Sequence, residues 1–259
     1  MLKNSTKLIH DGTVVATDVL RQDYILLSVR ADDRPRFEPG QFMMIRLSDG
    51  YDPFLLRPFS ILDEHDGVYR FLIKVVGKGT RAVRNFRYGR RVFLTGPFGN
   101  GFPRGAGHDT VVVAGGAGIA SVFSLVQKLH ERGTPYKLMY GARTEDELVL
   151  SNLLKPYDPA ISTDDGSKGH HGKLTDLLAK GIEHTKTVFA CGPLPMLAAV
   201  KAVTSRRGIE CYVSLEARMA CGFGVCLGCT IFDAKGNTRR VCKEGPVFDA
   251  KEVNLSGIH

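Results

Sequence analysis

Thr110-Val-Val-Val-Ala-Gly-Gly-Ala-Gly-Ile-Ala120 is the stretch on which the architecture turns. Five consecutive apolar or β-branched residues, Thr110 to Ala114, make a strand with no polar face, the kind buried on both sides within a parallel sheet. Gly115, Gly116 and Gly118 make a tight turn, and the residues after it place Val122, Leu125, Val126 and Leu129 on one helical face. Strand–glycine turn–helix units then recur. Tyr136 to Tyr140 is a strand, followed by a helical stretch around Glu145 to Leu154. Thr187 to Ala190 is followed by a helix over Pro193 to Arg206, and Cys211 to Leu215 supplies a further strand. Alternating β and α units predict a parallel sheet covered by helices on both faces.

Upstream the grammar differs. Tyr24 to Arg30, Gln41 to Leu47, Arg70 to Val76 and Arg91 to Thr95 are short runs rich in β-branched, aromatic and aliphatic residues, punctuated by Pro39-Gly40 and Asp49-Gly50. Such spacing predicts a small antiparallel barrel. Gly99 to Gly107, with four glycines and a proline, reads as a hinge.

Downstream the chain reads Cys221-Gly-Phe-Gly-Val-Cys226-Leu-Gly-Cys229, with Cys242 after a short excursion. The C-x4-C-x2-C spacing is that of plant-type ferredoxins and suits thiolate ligation of a [2Fe–2S] cluster. Gly222, Gly224 and Gly228 would let the loop curl and aim N–H groups at sulfur. Structural zinc also accepts four cysteines and remains the alternative ligand, which would make the chain a zinc-stapled binding module. Disulfides within so short a loop lack sensible partners.

Composition is that of an ordinary globular chain, 43% hydrophobic and 24% charged, which accommodates two domains and an appendage. No run of about 18 apolar residues occurs, which argues against a membrane span. Met1 to Lys7 lacks the apolar run of a signal peptide, and unpaired thiols fit a cytoplasmic setting. The net charge of +8 is scattered, without a basic block or nucleic-acid motif. Anionic prosthetic groups of about −2 each would offset roughly half of it.

Three further elements carry chemistry. Arg57-Pro-Phe-Ser60 offers a phosphate clamp beside a small hydroxyl, and Gly77-Lys-Gly-Thr80 opens a short helix, Arg81 to Phe86, as an anion site. Cys191-Gly-Pro193 ends a strand and opens a helix. The glycine turn at 115–118 could hold a dinucleotide pyrophosphate or merely join strand to helix. Ser121 stands where a full G-x-G-x-x-G would end, and the acidic ribose-binding residue expected after the second strand is replaced by Gly141-Ala-Arg143. An arginine there would suit a 2′-phosphate. His170-His171 reads as a solvated loop.

In this order, R-x-x-S, G-x-G-T, Gly-Gly-x-Gly-Ile-Ala and Cys-Gly-Pro resemble the ferredoxin–NADP⁺ reductase superfamily. The segment Leu215-Glu-Ala-Arg-Met-Ala-Cys221 and the cysteines after it narrow the resemblance to the electron-transfer subunits of class B, NAD-linked dihydroorotate dehydrogenases, over essentially the whole chain. The resemblance implies an FAD-binding β barrel over 1–104, a Rossmann-like NAD-binding α/β domain over 105–214 and a [2Fe–2S] subdomain over 215–259. It implies that Arg57, Pro58, Phe59 and Ser60 line the FAD, with Arg57 at the pyrophosphate and Ser60 near flavin N5. Leu72, Ile73 and Lys74 would run along the cofactor, and Gly79 and Thr80 would bind its phosphates. Many relatives carry Tyr at the position of Phe59, so a phenolic hydrogen bond is not expected. Gly115, Gly116 and Gly118 would meet NAD, and Cys191 and Glu216 would approach the nicotinamide and flavin without acting as acid or base. Cys191 also reads as a buried strand-end thiol, and Glu216 as an exposed strand-end carboxylate. Cys221, Cys226, Cys229 and Cys242 would hold the cluster.

The implied function is transfer of electrons from the FMN of a catalytic partner subunit, through [2Fe–2S] and FAD, to NAD⁺ in pyrimidine biosynthesis. The implied assembly is a heterotetramer with two of each subunit, without nucleic acid or membrane. A diaphorase-type FAD/[2Fe–2S] subunit of a cytoplasmic hydrogenase, or of a ferredoxin-linked NAD(P)H oxidoreductase, is the competing reading.

Overall fold

The computed structural model describes residues 8–21, 23–104 and 109–256. Met1 to Lys7, and the part of the expected hinge from 105 to 107, lie outside the described residues.

Seven strands build the first half: β1 (Ile9–Arg21), β2 (Tyr24–Ala31), β3 (Phe42–Ile45), β4 (Arg57–Ser60), β5 (Asp63–His65), β6 (Val68–Lys74) and β7 (Arg91–Phe98). They form one antiparallel sheet in the order β4-β3-β7-β1-β2-β6-β5, curled into the expected barrel. Helix α1 (Lys78–Ala82) and a 3₁₀ turn over Val83–Asn85 follow β6.

Strand alternation explains how the barrel joins the rest. On β2, Ile25, Leu27 and Val29 point into the barrel core with Phe71, Ile73 and Leu94. Their neighbours Tyr24 and Leu26 point outward, into a second core shared with the α/β half. Strand β2 is thus apolar on both faces because both faces are covered.

The second half contains β8 (Thr110–Gly115), α2 (Ile119–Glu131), β9 (Tyr136–Ala142), α3 (Ser151–Leu154), β10 (Ala160–Thr163), β11 (His170–His171), α4 (Leu174–Gly181), β12 (Thr187–Cys191), α5 (Leu194–Arg206) and β13 (Glu210–Ser214). Every residue of β8 is buried. The tail adds the hairpin β14 (Thr230–Phe232) and β15 (Thr238–Arg240), then β16 (Val247–Asp249). The sheet order is β11-β10-β9-β8-β12-β13-β16, parallel except for β16. Chain order therefore reverses between β8 and β12, the switch point at whose carboxyl edge ligands of open α/β sheets bind. Helix α2 covers one face, and α4 and α5 cover the other.

One expectation is revised. His170-His171 is not a loop but a two-residue edge strand parallel to β10. The tail is packed onto the α/β sheet. Strand β16 pairs with β13, and Ile231, Val241, Phe248 and Val253 join the core beneath α5.

Candidate functional site

A cavity of about 520 Å³ opens between the barrel and the switch point of the parallel sheet. The barrel contributes Arg57, Pro58, Phe59, Ser60, Leu72, Lys74, Gly79 and Thr80; the sheet contributes Ala117, Ala120, Ser121 and Ser214; the strip Leu215–Ala217 and Met219 completes the wall. A smaller cavity, about 280 Å³, lies at the amino ends of β8 and β9, the edge away from the glycine turn.

Most residues singled out for the flavin therefore line one space. Ile73 is the exception: its side chain is fully buried in the barrel core, because alternation along β6 turns Leu72 to the cavity and Ile73 away. The guanidinium of Arg57 donates to the Leu55 and Leu56 carbonyls at 2.7 and 3.2 Å, and among the described residues it has no carboxylate partner. Lys74 lies 5.6 Å over the Tyr24 ring, and Lys78 pairs with Asp52 at the rim. Arg57 thus presents a positive charge without an acidic partner at the cavity wall, where a bound anion would meet it. The Thr80 hydroxyl accepts from the Val76 and Gly77 amides at 3.0 and 3.1 Å. It caps the turn, so the first-turn N–H groups of α1 are the backbone donors left over in this loop.

The switch-point wall is a run of small polar groups. Ser60 and Ser121 share a hydrogen bond of 2.7 Å that joins barrel to sheet. The Cys191 thiol, buried at the end of β12, meets the hydroxyls of Ser121 and Ser214. Burial, with the nearby Glu216 charge adding to it, pushes that thiol up to about 12 despite the hydroxyl contacts. It is therefore neutral, and it lies behind Ser121 and Ser214 rather than on the cavity surface. Glu216 is exposed to the open space of the cavity but ringed by protein. Desolvation raises its carboxyl, and Lys74 is the charge opposing that rise.

Gly115, Gly116 and Gly118 sit at the carboxyl end of β8, with Gly116 at φ +52°. A Cβ on Gly118 would lie 2.4 Å from the Cys191 carbonyl oxygen, so the turn and the end of β12 meet only because this residue is glycine. Arg143 follows β9, as the sequence indicated, but its guanidinium is engaged by Glu147.

The four tail cysteines come together as two pairs. Cys229 and Cys242 are buried with sulfurs 3.1 Å apart, unbonded; Cys221 and Cys226 form the outer pair. Among the described residues no three side chains converge as they would around a single ion. A two-iron cluster spreads its four thiolates over two metal centres, and this paired layout suits it better than one zinc. The loop supplies amides: Val225 N–H points at Cys221 Sγ at 3.4 Å and Gly228 N–H at Cys226 Sγ at 3.5 Å. For Cys221, burial acts upward, but the N–H groups of Cys226, Phe223 and Val225 outweigh it and bring the thiol down to about 6. Cys242 is pushed up by burial and by Cys229 beside it. Two adjoining thiolates resist joint ionisation until a cation lies between them. Gly222 and Gly224 have φ of +81° and +91°; the third left-handed position is Leu227, at φ +60°, rather than Gly228. Arg240 ties the loop to the hairpin, bonding Glu244 and the Gly224 carbonyl, the latter at 2.9 Å.

Residues 216–254 match the model of the iron–sulfur cluster binding domain of dihydroorotate dehydrogenase B, and 112–202 match an oxidoreductase NAD-binding domain. The chain is 38% identical over 251 residues to the dihydroorotate dehydrogenase B (NAD(+)) electron transfer subunit homolog of Aquifex aeolicus, covering 92% of this chain and 97% of that one. The chain belongs to the electron-transfer subunits of dihydroorotate dehydrogenase B. The Clostridium acetobutylicum member is 37% identical, with 89% and 91% covered. Among solved structures, that of an NADH-dependent reduced ferredoxin-NADP oxidoreductase superposes with TM-score 0.83 at 27% identity, over 98% of this chain and 92% of that one. A Neisseria gonorrhoeae ferredoxin NADP⁺ reductase shares the fold, with TM-score 0.67 at 18% identity over 78% and 92%. Membership of the dihydroorotate dehydrogenase B family favours that reading over a diaphorase of another complex. No helix among the described residues is long and apolar enough to cross a membrane.

Proposed function

We propose that this chain is the electron-transfer subunit of an NAD-dependent dihydroorotate dehydrogenase, carrying electrons from the FMN of a catalytic partner, through [2Fe–2S] and FAD, to NAD⁺. One observation carries it. The strip from Leu215 to Met219 lines the cavity between barrel and sheet and runs directly into Cys221, so a cluster site and a flavin-sized site share a wall.

When bound, the flavin and the cluster supply exchange between hydride pairs and single electrons. The chain's own residues bind and orient. Arg57, Lys74 and the first-turn amides of α1 hold an anionic cofactor in the cavity. Pro58 and Phe59 supply an apolar flank on β4, and Ser60 places a hydroxyl at the switch point, held by Ser121. Gly115, Gly116 and Gly118 receive a nicotinamide dinucleotide at the start of α2. Cys191 stays protonated and backs the wall, and no side chain is needed as a general base. Cys221 with Cys226, and Cys229 with Cys242, are the cluster ligands, the inner pair sealed from water.

The partner meets the cluster loop, where Phe223, Val225 and Leu227 remain 53%, 72% and 62% exposed. Apolar side chains ringing the outer cysteine pair suit a docked subunit that excludes water along the electron path. Two copies of each subunit, in the cytoplasm, complete the reading. Co-expression with a dihydroorotate-oxidising flavoprotein tests it. Cys226→Ala is expected to abolish NAD⁺ reduction while dye reduction at the partner continues. NADH formation at the normal rate by that variant would refute the relay.

A further inference from the structure

The hairpin of β14 and β15 brings one fixed cation among the segments that carry the four tail cysteines. Arg240 ends β15 and pairs in register with Thr230, the residue after Cys229. Cys242 follows two residues later, and the Val241 N–H between them donates to the Cys229 carbonyl at 3.1 Å. From there the side chain reaches the outer loop, where Nη1 donates to the carbonyl of Gly224, a residue between Cys221 and Cys226, at 2.9 Å. The guanidinium therefore stands where the inner and outer cysteine segments meet, and its charge acts on Cys242 and Cys229.

Its orientation is fixed by Glu244. Nε donates to that carboxylate at 3.1 and 3.0 Å, Nη2 donates to it as well, and the Arg240 backbone N–H donates to it at 2.7 Å. The pair is sheltered, with the arginine 29% and the glutamate 25% exposed, so solvent screens it only in part. Gly224 is confined too: its φ is +91°, and a Cβ there would lie 2.7 Å from the Lys243 side chain. Its carbonyl is given to Arg240 while its N–H acts on the Cys242 thiol, so the loop turns a donor and not an acceptor toward sulfur. The adjacent Arg239 is committed elsewhere, 3.4 Å from Asp233, because alternation along β15 sends it to the other face.

We propose that Arg240, oriented by Glu244, is the residue that raises the reduction potential of the cluster. One electron arriving from the partner takes a four-thiolate [2Fe–2S] centre from about −2 to about −3, with no bond made or broken. A guanidinium alongside favours the more negative state, and so does a backbone N–H directed at sulfur. The Glu244 carboxylate opposes the cation and moderates its effect. The proposal rests on the four cysteines holding such a cluster.

The test uses the assembled complex, titrated with a chemical reductant while electron paramagnetic resonance follows the reduced cluster apart from the flavins. Arg240→Gln removes the cation and leaves Glu244 unpaired, so the midpoint potential is expected to fall. Glu244→Gln leaves the cation unopposed, and the potential is expected to rise. Arg240→Lys keeps the charge and should restore most of what Arg240→Gln loses. Arg239→Gln removes the same charge one residue away, and a smaller shift is expected. A merely structural pair would move the potential in the same direction in the Arg240→Gln and Glu244→Gln variants, or in neither, and either result overturns the proposal. So does an Arg239→Gln shift as large as that of Arg240→Gln. Should Arg240→Gln assemble no cluster, Glu244→Gln decides alone, since an unchanged or lowered potential refutes the assignment. If the unaltered complex contains neither iron nor sulfide, the cluster reading fails first and the proposal falls with it.

Discussion

Cys191 shows how a single side chain is read differently from its neighbours in sequence and from its neighbours in space. Between a strand and Gly192-Pro193 it reads as an active-site thiol or as a buried strand end; the structure shows it buried, a sealed thiol against Ser121 and Ser214. Burial raises it from 9.0 to about 12. In the unfolded chain the thiol loses its proton near pH 9, whereas the folded protein keeps it until near pH 12, so its contribution is present below pH 9 and fades as pH rises through that window. Between pH 8 and pH 10, unaltered protein should lose about 1 kcal/mol more stability than Cys191→Ala, read from urea unfolding at each pH. Equal losses would mean that the thiol is hydrated in the folded state. The tail cysteines were more legible, because C-x4-C-x2-C is written in consecutive residues. Leu227 at positive φ was not, because nothing in the residue type announces the left-handed turn that a glycine neighbour would have taken more easily.

At the scale of elements, the β8 turn and the end of β12 are locked together by the absence of a side chain. Gly118→Ala would drive a Cβ into the Cys191 carbonyl. The expected cost is about 1–3 kcal/mol in chemical denaturation, with weakened NADH binding, since the turn must back away from β12. Unchanged stability and affinity would show that the close approach is dispensable. The apolar strands and the long helices α2 and α5 were legible from periodicity. Strand β10 and helix α4 were not anticipated, although Leu174, Leu177 and Leu178 carry the i, i+3, i+4 signal of a buried helical face. Strand β10 has four residues, half of them hydroxylated, and Ser162 and Thr163 are buried because their hydroxyls bond the Gly172 and Lys168 carbonyls. Only pairing with β9 makes that segment a strand. Ile73 illustrates a second limit: a resemblance that spans three consecutive residues cannot say which of them alternation turns into the core.

Across the whole molecule, the cluster tail is held by the α/β sheet. Phe248 and Val247 of β16 are buried in the two cores on either side of it, and the Asn100 amide donates to the Gly245 carbonyl at 2.6 Å, tying the tail to the end of β7 as well. Phe248→Ala is expected to cost about 3–5 kcal/mol and to lower the thermal stability of the cluster chromophore and the flavin together. Separate transitions for the two absorbances would show that the tail folds independently. Val225, 72% exposed beside the outer cysteine pair, faces outward without core contacts. Val225→Glu should therefore preserve the iron–sulfur spectrum while weakening association with the catalytic subunit by about tenfold in gel filtration or light scattering, as a charge buried at an interface does. The amino-acid sequence by itself determined the barrel, the alternating sheet and the cysteine quartet, since strand period, helix period and ligand spacing are properties of neighbours along the chain. Only tertiary structure decided that Ile73 turns inward, that Arg143 is held by Glu147, that the sulfurs fall into two pairs and that β16 closes the sheet. Each of these depends on which groups, distant or on opposite faces, share the same few ångströms, and sequence spacing carries no record of that.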